Sequence, residues 1–84
     1  MEETRVAIIA IVVEQPDKAE ELNHVLHEYR QHIIGRMGIP YEKRGISLIS
    51  VAVDAPQDII SALAGRIGNI QGITAKAVYS KVGA

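Results

Sequence analysis

Hydrophobic runs and polar breaks follow one another along this chain in a regular order. Residues 5–13 form a continuous apolar run, which predicts a buried strand. From Asp17 to about Arg30 the apolar residues recur every three or four positions, which predicts an amphipathic helix. Further strands are predicted over 33–37, 46–53 and 73–81. A second helix is predicted to begin at residues 54–56, with Asp54 as its N-cap, and it is predicted to end at Gly68.

The two halves of the chain resemble each other. Residues 13–16 (Val-Glu-Gln-Pro) match residues 53–56 (Val-Asp-Ala-Pro) at an offset of 40 (53 − 13 = 40), and the same offset relates Ile33 to Ile73 and Arg36 to Lys76. The β-α-β-β-α-β order predicts an α+β, ferredoxin-like fold, with a four-stranded antiparallel sheet in the order 4-1-3-2 and two helices on one face. The length predicts one domain over residues 1–84.

Alternation along the strands predicts which residues lie on each face of the sheet. The bulkier set is assigned to the helices: Ile9, Ile11, Val13, Ile33, Met37, Ile49, Val51, Val53, Ile73 and Tyr79. The other face carries Ile34, Val78 and the residues predicted to form an interface between subunits: Ile8, Ala10, Val12, Leu48, Ser50 and Ala52. Arg36 and Lys76 are expected on that second face, at its two edges, either as charges that protect open edges or as anion-binding groups.

Composition narrows the class of protein. The chain has no cysteine, which fits a cytoplasmic protein and excludes thiolate chemistry. Its net charge of −1 favours neither nucleic acid nor an anionic membrane as a partner. The run over 6–13 is too short to span a bilayer. We therefore expect a cytoplasmic protein without a membrane or direct nucleic-acid partner.

The sequence offers few groups for catalysis or metal binding. It has no nucleophile elbow and no phosphate-binding loop, so no catalytic residue is predicted. His24 and His27 are three residues apart on the first helix and could share a metal ion. They lie on the polar side of that helix, which points to water, so no metal or cofactor is predicted. Glu14 and Asp54 follow corresponding strands, where they are either an acid–base pair or, on the favoured interpretation, two helix caps.

Three segments carry a resemblance to a known family: 36–41 (Arg-Met-Gly-Ile-Pro-Tyr), 46–54 and 62–68. Together they resemble the stand-alone domains named iron-only hydrogenase system regulators, and the match runs from the first strand to Lys81. More distantly the chain is similar to ACT domains and to the C-terminal domain of the nickel-responsive repressor. The resemblance implies a ferredoxin-like fold, oligomerisation through sheets, as a dimer or tetramer, and a regulatory role.

The resemblance to ACT domains also implies a binding region for a small effector, in the loop after the first strand and at a neighbouring subunit. The matching positions here are Glu14, Gln15 and Pro16. The other candidate is the segment 36–41, where the contacting residues would be Arg36, Met37, Gly38 and Tyr41. This segment is either a loop that contacts a ligand or an interface, or only a turn whose conformation requires these residues. The favoured function is effector sensing by an oligomeric regulatory domain. The alternatives are a ligand-free scaffold that recruits a protein and, last, a small dimeric enzyme.

Overall fold

The computed structural model describes residues 3–81. Its elements are β1 (Arg5–Val13), α1 (Ala19–Glu28), β2 (Ile33–Tyr41), β3 (Ile46–Ala55), α2 (Gln57–Gly68) and β4 (Ile73–Tyr79). Single turns of 3-10 helix, Pro16–Lys18 and Arg30–His32, lie on either side of α1. Pro16 begins the first of these turns, where its missing amide hydrogen is not needed.

The four strands form one antiparallel sheet in the order β2-β3-β1-β4. This order confirms the predicted 4-1-3-2 arrangement, and the α+β ferredoxin-like fold with it. The two central strands are β1 and β3, which pair along their whole length, from Arg5 with Ala55 to Val13 with Ser47. The edge strands β2 and β4 are the ones that begin at Ile33 and Ile73, the positions related by the internal offset.

The core lies between one face of the sheet and the two helices; we call this face the helix side. Alternate residues of β1 are buried there, and Ile9 is fully inaccessible. The buried residues are Ala7, Ile9, Ile11, Val13, Leu22, Val25, Leu26, Val51, Val53, Ala55, Ile60, Leu63, Ile67, Ile70 and Ile73. This core is almost entirely aliphatic, because the chain contains no Phe or Trp.

The ends of several elements differ from the prediction: β3 continues to Ala55 and β4 ends at Tyr79, where the predicted ends were residues 53 and 81. Strand β2 continues to Tyr41, because residues 38–41 pair with β3 instead of turning. Asp54 is not the N-cap of α2: it lies within β3 opposite Val6, and Pro56 occupies the cap position without a side-chain hydrogen bond. Helix α2 does end at Gly68 as predicted.

Strand β2 contains an irregularity that reverses the predicted faces of two residues. The pairing with β3 shifts between Ile33 and Gly35, which is a β-bulge at Ile34. One extra residue changes the alternation beyond it. Arg36 therefore pairs with the buried Val51 and lies on the helix side, and Met37 pairs with Ser50 on the opposite face. The expected positions of Arg36 and Met37 were wrong for this reason.

No helix within residues 3–81 is long and apolar enough to cross a bilayer.

Candidate functional site: the open face of the sheet

The sheet face opposite the helices, which we call the open face, is a regular grid of mostly apolar residues. Cross-strand pairs place these residues in rows, in the order β2, β3, β1, β4. The rows are Asp54-Val6, then Gly35-Ala52-Ile8-Val78, then Met37-Ser50-Ala10-Lys76, then Ile39-Leu48-Val12-Thr74, and finally Tyr41-Ile46. Directly paired residues share a face, and both α1 and α2 pack against the opposite face.

Large apolar side chains on this grid are exposed to an extent unusual for a folded protein. Ile8 is 51% exposed, Met37 67% and Val78 65%. Ile39, Tyr41 and Leu48 are each more than two-fifths exposed. Isolated exposed apolar residues are normal, but a contiguous patch marks an interaction surface.

The size of the patch follows from sheet geometry. Four strands about 4.8 Å apart are about 19 Å wide, and seven residues at about 3.3 Å each are about 23 Å long. The flat footprint is therefore roughly 440 Å², before the relief of the side chains is counted. This area, which includes Ser50, Thr74 and Lys76, is within the range of the largest patch on a typical monomer, and such patches are often functional.

The centre of the open face is a shallow hollow. It has a volume of about 280 Å³ and is lined by Ile8, Gly35, Arg36, Met37, Ser50 and Ala52. The hollow exists because Gly35 has no side chain, and Ser50 and Ala52 have small ones, between the larger Ile8 and Met37. Such a surface can accept a protruding side chain from an opposing layer.

The structure places all six predicted interface residues on the open face, since β1 and β3 alternate without interruption. Sequence reasoning missed Ile39 and Tyr41 as members of this face and placed Met37 on the wrong side. One signal was present: residues 37, 39 and 41 are apolar at alternate positions in Met-Gly-Ile-Pro-Tyr, the pattern of a strand with one apolar face.

The residues predicted to contact an effector lie in two separate places. The first group follows β1, where the Glu14 amide donates to the Gly72 carbonyl at 2.7 Å and the Gln15 side chain packs against Gly72. In the second group, Met37 and Tyr41 lie on the open face, whereas Gly38 pairs with Ile49 on the helix side. The Arg36 guanidinium donates from Nη2 to Oδ1 of Asn23 on α1, at 3.0 Å.

Glu14 and Arg36, one residue from each group, are far apart within one chain, whereas Tyr41 is level with Glu14 two strands away. Arg36 is level with Val51 and Ile9, and Ile9 precedes Glu14 by five residues (14 − 9 = 5). That is about 17 Å along the sheet, in addition to the width of two strand spacings. One pocket containing both Glu14 and Arg36 would require a second chain.

The suggested acid–base pair is not formed. Asp54 is opposite Val6, near the start of β1, whereas Glu14 follows its end. His24 and His27 are exposed on α1, and within the described part of the chain no group of three His, Cys, Asp or Glu side chains is arranged to hold a metal.

On the helix side, one exposed ion pair joins the two helices. Nη2 of Arg66 on α2 lies 2.7 Å from Oε1 of Glu28 on α1. Hydrogen bonding to the Tyr29 side chain, and then to Glu28, raises the pKa of Arg66 above its usual value. The Arg66 guanidinium also lies 5.6 Å from the centre of the Tyr29 ring. Glu28 is therefore already engaged by a cation.

Comparison with known proteins gives one family and a closely similar structure. The model of the TM1266-like family, described as "Iron-only hydrogenase system regulator, putative", matches residues 5–77. The solved structure of the uncharacterized protein TM1266 from Thermotoga maritima superposes with a TM-score of 0.89 at 35% sequence identity, covering 94% of this chain and 100% of that one. No curated protein matches significantly.

Proposed function

Because the chain belongs to the TM1266-like family of iron-only hydrogenase system regulators, we propose that it is a regulatory domain that self-associates through its open face and binds a small effector. The proposal assigns it no catalytic step. The observation that carries it is the uncovered apolar grid, whose exposed side chains include Ile8, Met37 and Val78.

A second copy of this chain is the occupant that fits the open face. Two flat footprints of roughly 440 Å² give almost 900 Å² between two copies, and side-chain relief raises this toward the lower limit of about 1,000 Å² for a biological interface. Sheets pack face to face about 10 Å apart, through the kind of small and large side chains found here. A two-fold axis would place the same patch on both sides of the interface.

Charge is also compatible with pairing of identical faces. Asp54 and Lys76 are the charged residues that the register of the described strands places on the open face, and they have opposite signs. Neither lines the central hollow: Asp54 lies near an end of β3, and Lys76 lies on the edge strand β4. In a two-fold arrangement a contact from Asp54 to Lys76 occurs twice, so the charges favour one register of self-association.

The effector is expected where the two predicted groups of residues come near each other across subunits. Met37 and Tyr41 on the open face would lie at or beside the interface, and the loop of Glu14, Gln15 and Pro16 follows the same end of the sheet as Tyr41. An effector bound between copies would make assembly depend on the effector concentration, because the effector binds only the associated state.

The test is the mass of the purified full chain by native mass spectrometry and light scattering, for the wild type, Ser50→Arg and Ser61→Arg. Ser50 is at the centre of the open face, where an arginine would be buried without a partner on association and left solvated in the free chain. We expect Ser50→Arg to raise the dissociation constant at least about 100-fold, which corresponds to about 2.7 kcal/mol, without lowering the stability of the monomer.

Ser61→Arg is the matched control, because Ser61 is exposed on α2 on the other side of the molecule. It should leave the mass unchanged. A monomeric wild type, or an assembly that Ser61→Arg breaks and Ser50→Arg does not, would contradict the assignment of the open face. An oligomer with no added mass, and no small molecule that alters its association, would favour the ligand-free scaffold.

A further inference from the structure

A second concave site lies on the helix side, at the outer edge of the sheet. It has a volume of about 290 Å³ and is lined by Asn23, Leu26, His27, Arg30, Ile33 and Arg36. We call it the α1–β2 cleft. Its base is apolar, from Leu26 and Ile33, and its walls carry two guanidinium groups, an amide and an imidazole.

Both arginines are held in place without being neutralised. Arg36 donates to Asn23 Oδ1 at 3.0 Å, and Arg30 donates from Nη1 to the His27 carbonyl at 2.9 Å. Each of these bonds uses one of the five N–H groups of a guanidinium, so the others remain available to a ligand. Across residues 3–81 no carboxylate forms an ion pair with Arg30 or Arg36, and nearby Glu28 is paired with Arg66.

Helix capping explains only one of the two arginines. Arg30 follows the last turn of α1, where a cation is favoured by the helix dipole and by the free carbonyl groups. Arg36 comes from a different element and bonds to a side chain further back along the helix. Its presence in the cleft depends on the bulge at Ile34, since regular alternation would have turned it to the open face. Bulges of this kind are frequent where a side chain must be re-aimed at a site.

From this geometry we propose that the α1–β2 cleft binds a small oxyanion ligand, a phosphate ester or a carboxylate, through Arg30 and Arg36. Arginine is suited to this role because its planar fork of donors matches the oxygens of both groups. Asn23 positions the Arg36 fork, and the apolar base can contact the uncharged part of the ligand. This cleft is a site distinct from the subunit interface where the proposed function expects its effector, and only the regulatory meaning of the cleft rests on that function.

The experiment is a titration of the ¹⁵N-labelled full chain with sodium phosphate, ATP and citrate, followed by NMR at constant ionic strength. We expect saturable shifts concentrated in residues 23–36, with a dissociation constant below about 1 mM for at least one probe. Phosphate or ATP binding without citrate binding would assign a phosphate ligand, and the reverse a carboxylate. No saturable binding by any probe would overturn the proposal.

Variants separate a built site from general electrostatic attraction. Arg30→Gln and Arg36→Gln should each weaken binding about tenfold, which is the loss of one charge-assisted hydrogen bond. Arg36→Lys should bind at an intermediate strength, because it keeps the charge without the fork. Arg44→Gln removes the same charge from the turn between β2 and β3 and should leave binding unchanged. An equal loss in Arg44→Gln would mean nonspecific attraction and would also overturn the proposal.

Repeating the titration with Ser50→Arg distinguishes this inference from the proposed assembly. Binding in the cleft with no assembly in the wild type would refute only the open-face interface. Assembly without binding would refute only the cleft. If both hold, the probe that binds should also shift the wild-type association constant, which connects the cleft to regulation.

Discussion

Gly72 lies in the turn before β4, and adding a single methyl group there should lower the free energy of unfolding strongly. Its φ of +81° lies in the left-handed region, which L side chains rarely adopt. A Cβ at this position would also lie 2.5 Å from Cγ of Gln15 and 2.8 Å from its Cβ. Gln15 cannot escape by changing rotamer, since its Cβ is fixed to the backbone.

These two effects determine how far Gly72→Ala lowers the free energy of unfolding. The left-handed conformation costs an alanine about 1–2 kcal/mol, and displacing the Gln15 loop adds about 1 kcal/mol more. The free energy of unfolding should therefore fall by about 2–3 kcal/mol. For a domain of this size each kcal/mol lowers Tm by roughly 4–8 °C, so a decrease of roughly 8–24 °C is expected.

The control is Gly65→Ala. Gly65 is exposed within α2, has an ordinary φ, and a Cβ there meets no other atom within 4 Å. Alanine should stabilise this helix by about 0.5–1 kcal/mol, so the two Gly→Ala variants should move Tm in opposite directions. Calorimetry or circular dichroism at one fixed protein concentration measures both, because association would make Tm depend on concentration.

A double-mutant cycle with Gln15→Gly divides the cost between its two causes. Removing the Gln15 side chain should recover about 1 kcal/mol of the Gly72→Ala loss and leave the conformational part. If Gly72→Ala has the same Tm as the wild type, or changes it in the direction of Gly65→Ala, the reasoning about this turn is refuted.

Two further predictions use neighbouring or interacting residues as their own controls. Ile9→Ala should lower the free energy of unfolding by about 3–4 kcal/mol, because Ile9 is fully buried. Ile8→Ala, on the open face, should leave the stability of the monomer nearly unchanged and weaken association. Urea unfolding measures the first effect, and light scattering on dilution measures the second. Tyr79→Phe should lower the free energy of unfolding, measured with urea, by about 1 kcal/mol, because it removes the 2.7 Å hydrogen bond that Gln57 donates to the Tyr79 hydroxyl. The ring itself stays 4.4 Å from the Arg5 guanidinium, so that contact is retained. An Ile8→Ala loss as large as that of Ile9→Ala, or a Tyr79→Phe variant as stable as the wild type, would contradict the assigned contacts.

The central strands show what a single sequence can determine. In β1 all residues from Val6 to Val13 are apolar, on both faces of the strand, so the presence and length of the strand could be predicted. The repeated Val-acid-x-Pro segments marked the ends of β1 and β3, and the offset of 40 related the starts of β2 and β4. These features are local or periodic, and the physical rules that apply to them need no tertiary partner.

The edge strand β2 shows where this reasoning ends. Gly38 and Pro40 are typical of a turn, yet residues 38–41 remain extended because β3 is long enough to pair with them. Pro40 is tolerated there because an edge strand does not need every amide for pairing. Neither the length of β3 nor the edge position of β2 could be recognised from residues 36–41 by themselves.

By itself, then, the sequence determined the order of elements, the aliphatic core and the apolar character of the open face, because each depends on periodicity along one strand or helix. Only the tertiary structure decided the register between strands. The bulge at Ile34 is a property of the pairing between β2 and β3, and it moved Arg36 to the helix side and Met37 to the open face. Pairing also put Glu14 and Asp54 at opposite ends of the sheet, since antiparallel neighbours reverse direction. A shift of one residue between strands leaves no mark on either strand's own periodicity, yet it exchanges the faces of every residue beyond it.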